Sequence, residues 1–296
     1  MKKEGRRNPT PTGTMKVFLA GAFGHLGTDI LHSLVDAGHE VIAADVAVRE
    51  VDFGGFTPLK VDMTNRESLK GVCDGVDVVI TTVGLTKASQ TVTAYDIDYG
   101  ANKNLLDEAI AAGVKHFAYI SVLKASKGRK IPMLGAKAKL EEELIASPIK
   151  YAIFRPTGYF YDTAHIFQPK VEAGKVTLLK TKEPIRCNVI DTRDFADYIV
   201  EHMCDDNAEY DVGGTETYTY EEIAKMFFKA AGKEPVIKFA PPFLFDMIIA
   251  MSPKWKRGVI MFGKWTMTED MVASVRTGKR SFAAYIKEIY EKGLKF

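Results

Sequence analysis

The 296-residue chain is poor in cysteine and tryptophan, with three and two, and it lacks both a long uninterrupted apolar run and an excess of charge of one sign. Each shortage excludes something. Cys73, Cys187 and Cys204 are odd in number, far apart and without Cys-x-x-Cys spacing. Neither a disulfide framework nor a zinc site is expected, and a reducing, cytoplasmic setting fits. Forty basic residues against thirty-eight acidic ones give a formal charge of +2, so no global field selects nucleic acid or an anionic membrane. The longest apolar stretch near the C-terminus, FLFDMIIAM (243–251), is short for a bilayer and carries Asp246. An integral membrane protein is therefore not expected. The expected partner is a small molecule, and the expected state a monomer or homodimer. The chain does have 46% hydrophobic residues, ample for a packed core.

Residues 1–14, MKKEGRRNPTPTGT, are basic and polar and read as a disordered leader rather than a signal peptide. From residue 15 two patterns alternate. Short β-branched runs at 16–20, 40–45, 58–62, 77–83, 116–122 and 151–156 read as strands. Amphipathic stretches at about 25–37, 65–73, 95–112 and 136–146 read as helices, with Gly38, Gly75 and Gly113 just past three of their ends. This alternation predicts an α/β fold over 15–156, a Rossmann-type doubly wound parallel sheet with helices on both faces.

After Pro156 the alternation loosens, and 157–296 is expected to form a smaller C-terminal α+β substrate lobe and C-terminal helices, integrated with the core. Short strands are expected at 176–179, 187–190 and 210–214, and helices at 191–203 and 219–232, the latter with Thr219 and Glu222 in capping-box spacing. Pro241 and Pro242 introduce an apolar helix, followed by a mixed C-terminal stretch. Phe160, Phe167, Phe239, Phe243, Phe245, Met247 and Met251 either line a wide apolar pocket or fill a core. Segment 243–251 is also a candidate interfacial patch, for entry of a lipophilic substrate or docking of a partner helix.

The stretch GAFGHLG (21–27) lies between the first strand and a helix starting near His25. There, Gly21 permits the sharp turn, Gly24 lets a pyrophosphate approach the backbone, and Gly27 allows close helix–strand packing. The helix N-terminus supplies free N–H groups and a positive dipole end. Asp45 ends the second strand 24 residues after Gly21, where a carboxylate accepts hydrogen bonds from ribose hydroxyls and repels a 2′-phosphate. NAD is thereby favoured over NADP, although Arg49 is near enough to hold a phosphate; a solvated strand end is the plain alternative for Asp45. Asp62, in VDMTN, either meets the adenine amino group or caps the stretch beginning at Thr64. Thr81, Thr82, Val83 and Gly84 end the fourth strand beside the expected cofactor path.

Taken with IDYGANKNLLDEAIAAGVKHFAYIS, KAKLEEELIASPIKYAIFRPTGYF, NVIDTRDFADYIV and YDVGGTETYTYEEIAKMFFKAAGKEP, these stretches resemble the atypical short-chain dehydrogenase/reductase superfamily, in its NmrA-like NAD(P)-binding branch. The likeness runs over most of 15–292. It implies cofactor contacts from Gly21, Phe23, Gly24, His25, Leu26 and Gly27, from Asp45, Asp62 and Met63, from Thr82, Val83 and Gly84, and from Lys137 and Pro156.

The resemblance also implies a catalytic serine after the fifth strand, a tyrosine, and a lysine four residues beyond it. Ser121 and Lys137 match the first and last, but the tyrosine position holds Met133. A thioether has no proton to transfer, so carbonyl reduction through a tyrosine is not available. Lys137 is left to bind the nicotinamide ribose and Ser121 to orient a substrate oxygen. Tyr159, Tyr161 and His165 are the candidate replacement acids, Tyr159 the first choice; otherwise they are packing residues. Arg155 and Pro156 read as structural. The expected function is an NAD(P)-dependent oxidoreductase acting on a small or lipophilic organic substrate, with solvent supplying the proton. The alternative is a non-catalytic NAD(P)-binding redox sensor or assembly scaffold. Sugar-nucleotide epimerisation shares the cofactor but needs the tyrosine that is Met133.

Overall fold

Runs rich in Val, Ile, Phe and Ala become strands, and amphipathic stretches between most of them become the crossovers that keep the strands parallel. In a computed structural model describing residues 13–85 and 87–296, the chain begins β1 (Lys16–Ala20), α1 (His25–Asp36), β2 (Glu40–Asp45), β3 (Phe56–Lys60), β4 (Val78–Thr81), α2 (Asn102–Ala111), β5 (His116–Ile120), α3 (Pro132–Ala146) and β6 (Lys150–Pro156). It continues through α4 (Phe160–Glu172), β7 (Val176–Leu179), β8 (Arg186–Cys187), α5 (Thr192–His202), β9 (Ala208–Gly213), β10 (Tyr218–Thr219) and α6 (Tyr220–Ala230). The last elements are β11 (Ile237–Ala240), α7 (Pro242–Met251), α8 (Lys254–Thr266), β12 (Val275–Arg276) and α9 (Phe282–Glu291). The leader expected over 1–14 lies outside the described residues but for its last two, which are exposed.

Eight strands form one mainly parallel sheet in the order β12-β9-β6-β5-β4-β1-β2-β3. The expected Rossmann-type α/β fold is what the chain adopts. Its switch point lies between β1 and β4, each paired parallel to the other and flanked by strands that run away in opposite directions. The chain divides into two compact units. The first holds the residues up to Arg155 together with Phe195–Tyr210, and the second Pro156–Asp194 and Asp211–Phe296.

In the first unit, one face of the sheet buries Phe18, Val79, Phe117, Tyr119 and Ile153 against Leu105 and Leu106 of α2 and Leu140 and Leu144 of α3. Each such fully buried large side chain stabilises the fold by roughly 1.5–3 kcal/mol. Alternation along β6 sends Phe154 to the other face, where its ring meets Phe195 and Tyr198 of α5 at 6.4 and 6.3 Å. In the second unit α4, α6 and α9 share an aromatic core: Phe160 lies 4.8 Å from Phe282, and Phe167 5.8 Å from Phe227. Phe160 and Phe167 thus fill a core, while Phe243, Met247 and Met251 are exposed.

Several boundaries differ from expectation for local reasons. β3 starts at Phe56, two residues early, and includes Pro58, which is tolerated because β3 is an edge strand. The helix expected at 65–73 is a single 3₁₀ turn, Arg66–Leu69, stopped before Gly71 at φ +77°. The stretch 95–112 begins as a wide π-helical turn over Tyr95–Ala101 before α2. α3 starts at Pro132, since proline suits the first helical position. Helix α4 departs from expectation, disguised by Pro169 inside it, while α8 and α9 give bounds to the C-terminal helices. Gly38, Gly75 and Gly113 all take the expected left-handed conformation, and the Thr219–Glu222 capping box is present.

All three cysteines are buried. Burial pushes the thiols of Cys73 and Cys187 up to about 12 and that of Cys204 to about 11. At pH 8 a thiol with pKa 11 is about 0.1% thiolate, and the thiolate is the nucleophile. Alkylation by iodoacetamide at pH 8 is therefore expected to be at least about 100-fold slower in the native protein than in urea. One rapidly labelled thiol in mass spectra of the native protein contradicts this.

Candidate functional site

The turn after β1 is built from backbone. Gly21 sits at φ +76°, and the amides of Gly21 and Ala22 both donate to the carbonyl of Ala44 at 2.8 and 3.2 Å. The Thr82 hydroxyl, at the end of β4, donates to the Gly21 carbonyl at 3.0 Å, which ties the two strand ends at the switch point. A Cβ on Gly21 would overlap Thr82 Oγ1, and one on Gly27 would overlap the Gly21 carbonyl oxygen. Gly24 differs: it is exposed, and a Cβ there would meet only Gly21 O, at 3.4 Å. It is also the N-cap of α1, where it supplies no side-chain cap, and the first turn of α1 carries no carboxylate. The first turn of α1 thus has neither a side-chain cap nor a carboxylate within it, which is the setting for an anionic ligand.

Asp45 is half-buried at the end of β2, its Oδ2 accepting from the Phe23 amide and its Oδ1 from the Ala47 amide, both at 3.2 Å. The Phe23 amide is thereby committed to Asp45, and its buried ring lies edge-on to Phe56 at 6.2 Å. Leu26 is buried under α1 and His25 is exposed. Asp62 Oδ1 accepts from the Thr64 amide at 2.9 Å and its hydroxyl at 2.7 Å, which shapes the local turn. The cap of the 3₁₀ turn is Asn65, three residues further on, so Asp62 shapes the turn that leads into it rather than capping the helix. Met63 is buried, and its carbonyl accepts from Asn104 Nδ2 at 3.1 Å.

The loop Thr82–Gly84 is held by Asn102. Asn102 Oδ1 accepts from Thr81 Oγ1 at 2.6 Å, and its Nδ2 donates to the Val83 carbonyl at 3.0 Å. Beside it Lys137 Nζ, buried on α3, stands 3.3 Å from Asp98 Oδ1 and 3.3 Å from the Ile120 carbonyl. Burial pushes the Asp98 carboxyl up, against the pull of the Lys137 ammonium. Asp98 Oδ2 accepts from the Leu85 amide at 3.2 Å, whereas Oδ1 faces Lys137 without hydrogen-bond alignment. A Cβ on Gly84 would crowd Asp98 Oδ1 at 2.9 Å and Lys137 Nζ at 3.5 Å, so glycine is what lets the loop lie against this pair.

Ser121 follows β5, and its hydroxyl donates to Glu141 Oε1. Arg155 clamps Glu141 through Nε at 3.0 Å and Nη2 at 2.6 Å, and reaches Glu209 at 2.7 Å. The hydroxyl proton of Ser121 is thus directed at the Glu141 carboxylate in this arrangement. Met133 is half-buried in the first turn of α3, one turn before Lys137. Tyr119 on β5 is fully buried with no partner for its hydroxyl. Burial, with the Asp98 and Glu141 charges adding, pushes that phenol well above its ordinary value, so it keeps its proton.

Pro156 and Tyr159 belong to the second unit. Tyr159 bridges to Ile190, and its phenol is pushed up by burial and then by Asp162. Tyr161 and His165 stack on each other at 6.1 Å, and Phe296 meets the Tyr161 ring at 5.2 Å, the packing arrangement rather than a site. A cavity of about 180 Å³ in the second unit is lined by Leu178, Ile185, Tyr220, Phe239 and Met267 among others; of the aromatic and methionine side chains expected to line a pocket or fill a core it includes Phe239, and none of the expected cofactor or catalytic residues lines it.

Asp98, Asn102, Asn104 and Glu209 were missed from sequence. The available signal was the i, i+4 pair Asp98 and Asn102 within IDYGANKN, polar residues that sit on a helical face otherwise bound for the core.

Comparison with known proteins gives three likenesses. The Photosystem II assembly factor Ycf39 of Synechocystis is 24% identical over 286 residues, covering 94% of this chain and 85% of the relative. The NADPH-dependent quinone oxidoreductase QOR2 of Escherichia coli, complexed with NADPH, has a TM-score of 0.73 at 17% identity, over 93% of this chain and 99% of that one. UDP-glucose 4-epimerase of Thermus thermophilus, in complex with NAD, has a TM-score of 0.63 at 20% identity, over 85% and 99%. The two structural likenesses establish the fold. The NmrA-like family model matches residues 13–291, and the chain belongs to that family.

Proposed function

We propose that this chain binds a nicotinamide dinucleotide at the β1–α1 turn and acts as an oxidoreductase toward a small or lipophilic organic acceptor whose proton comes from solvent. The reading is carried by the exposed, uncapped Gly24 turn at the switch point, with Lys137 and Gly84 in the same unit. When bound, the dinucleotide supplies or accepts a hydride. The backbone of Gly24, His25 and Leu26 would hold the pyrophosphate, Asp45 the ribose, Met63 and Asp62 the adenine side, and Thr82–Gly84 the path onward. Lys137 holds a fixed positive charge whose neighbour Asp98 orients it. No tyrosine occupies position 133, and Ser121 is engaged by Glu141, which favours an acceptor needing no protein-borne proton. QOR2, named for quinone reduction with NADPH, is consistent with that class. A reducing, cytoplasmic setting and a monomer or homodimer belong to the same reading.

Asp45 favours NAD over NADP through charge repulsion at the 2′ position. Asp45→Ala is expected to shift the NADP/NAD affinity ratio at least about tenfold toward NADP, about 1.4 kcal/mol, as read by calorimetry with all four coenzyme forms. No change in the ratio removes the ribose assignment.

The second reading, a non-catalytic NAD(P)-binding sensor or assembly scaffold, is favoured by the commitment of Ser121 to Glu141 and by the name of the Ycf39 relative. The two separate cleanly. NADH or NADPH oxidation with a panel of quinones and carbonyls, lost in Lys137→Ala, supports the enzyme. Tight binding without turnover, unchanged by adding acceptors, supports the scaffold.

A further inference from the structure

Helix α7 departs from the usual pattern of a helix in a soluble fold, which buries one stripe and exposes the other. Its sequence PFLFDMIIAM has one charged residue, Asp246, yet no residue of it is buried. Phe243 is 59% exposed, Met247 54%, Ile248 48% and Met251 83%. Its packing neighbour is α8, KWKRGVIMFGKWT, which also buries nothing. The two are joined by Lys264 Nζ to Asp246 at 2.5 Å, and Arg257 closes the connection by donating to the carbonyls of Ser252 at 2.9 Å and Ala250 at 3.0 Å.

We propose that the α7–α8 hairpin is an interfacial membrane anchor that lays its apolar surface into a bilayer bearing anionic headgroups. Two independent observations select this occupant, and helix length sets how it lies. Both tryptophans of the chain, Trp255 and Trp265, lie in α8, one near each end, and tryptophan is the side chain that prefers the headgroup boundary. Charge is the second. Residues 236–266 hold Lys238, Lys254, Lys256, Arg257 and Lys264 against Asp246. That is a net +4 in a chain totalling +2, so the remainder carries −2. Lysines at the border of an apolar surface are placed to meet anionic headgroups, and the Lys256 ammonium lies 4.7 Å over the Trp255 ring, a cation–π contact that keeps charge and indole together. Length sets the orientation. Ten residues of α7 span about 15 Å against a hydrocarbon core of about 30 Å. Among the described residues no helix is long and apolar enough to cross a membrane, so the hairpin lies in the interface. A second copy of the chain is the poorer occupant, because a two-fold contact sets one basic hairpin, net +3 over 242–266, against another.

The test uses the full chain and its own tryptophans, which report on α8 alone. With vesicles of phosphatidylcholine containing a quarter phosphatidylglycerol, the protein is expected to co-sediment, with a blue shift of tryptophan emission and quenching by brominated acyl chains. Binding to pure phosphatidylcholine is expected to be at least about tenfold weaker. Phe243→Glu with Met247→Glu is expected to abolish sedimentation while leaving circular dichroism, Tm and coenzyme binding unchanged, since both side chains are exposed. Lys254→Glu and Lys256→Glu each weaken binding to the anionic vesicles by about fivefold or more. Absence of sedimentation and spectral shift with either vesicle overturns the proposal. So does equal binding to both, or light scattering that shows a dimer dissociated by Met247→Glu in the absence of lipid. Coenzyme binding is measured in the same samples, so failure here leaves the dinucleotide reading intact, and the reverse.

Discussion

Gly27→Ala is expected to weaken dinucleotide binding at least about 100-fold, about 2.7 kcal/mol, and to lower Tm by several degrees. The added methyl would overlap the Gly21 carbonyl oxygen, which already accepts from the Gly24 amide at 3.2 Å and the Thr82 hydroxyl at 3.0 Å. Backbone cannot rotate aside as a flexible side chain can. The turn must therefore open, which displaces Gly24 and the first amides of α1 together. Overpacking of this kind costs about 1–3 kcal/mol in stability, or roughly 2–4 °C per kcal/mol in a chain somewhat shorter than this one. Gly38→Ala is the control. It meets no atom within 4 Å but sits at φ +78°, so it is expected to cost about 1 kcal/mol with coenzyme affinity unchanged. Calorimetry and thermal melts on the two variants separate a site effect from a stability effect. Equal affinity of Gly27→Ala and wild type for NAD and NADP would remove the glycine turn as the binding element.

Arg155→Ala is expected to be the most destabilising single change in the first unit, at about 3–5 kcal/mol. Burial alone would weaken the guanidinium's hold on its proton, yet Glu141 and Glu209 keep it above its ordinary value. Removing Arg155 leaves Glu141, only 5% exposed, as a buried carboxylate that keeps the Ser121 hydroxyl but loses its charge partner. Glu141→Gln added to Arg155→Ala should recover part of the loss, because an amide tolerates burial better than an unpaired charge. The double-mutant cycle then gives a coupling of about 1–3 kcal/mol. Ser121→Ala should cost about 1 kcal/mol and leave coenzyme affinity unchanged. Urea melts that place Arg155→Ala within about 1 kcal/mol of wild type would show that the clamp is not a buried pair at all. A loss of coenzyme affinity in Ser121→Ala would return the serine to the ligand.

The parallel core was readable because each of its parts is local. β1, β2, β5 and β6 come from β-branched and aromatic runs of the right length, and α1 announces itself through apolar spacing at Ile30, Leu31 and Leu34. Boundaries failed where a long-range fact decided them. Pro58 is allowed only because β3 is an edge, which no local pattern states. α4 is hidden by Pro169, and mixed composition withholds the bounds of the C-terminal helices α8 and α9. The C-terminal half was also less legible because its strands are short, two residues each in β8, β10 and β12, too few to display an alternation.

The amino-acid order by itself determined the glycine turn, the acidic end of β2, the absence of a proton-bearing side chain at position 133, and the apolar composition of 243–251. All of these depend on residue identity and short spacing, which the covalent chain carries directly. Tertiary structure alone decided that Ser121 gives its proton to Glu141, that Lys137 faces Asp98 across a widened helical turn, and that α7 is left uncovered while Phe160 and Phe167 are buried. Those outcomes depend on which side chains the crossovers bring within hydrogen-bond reach, and burial is a property of the packed molecule, not of any segment taken alone.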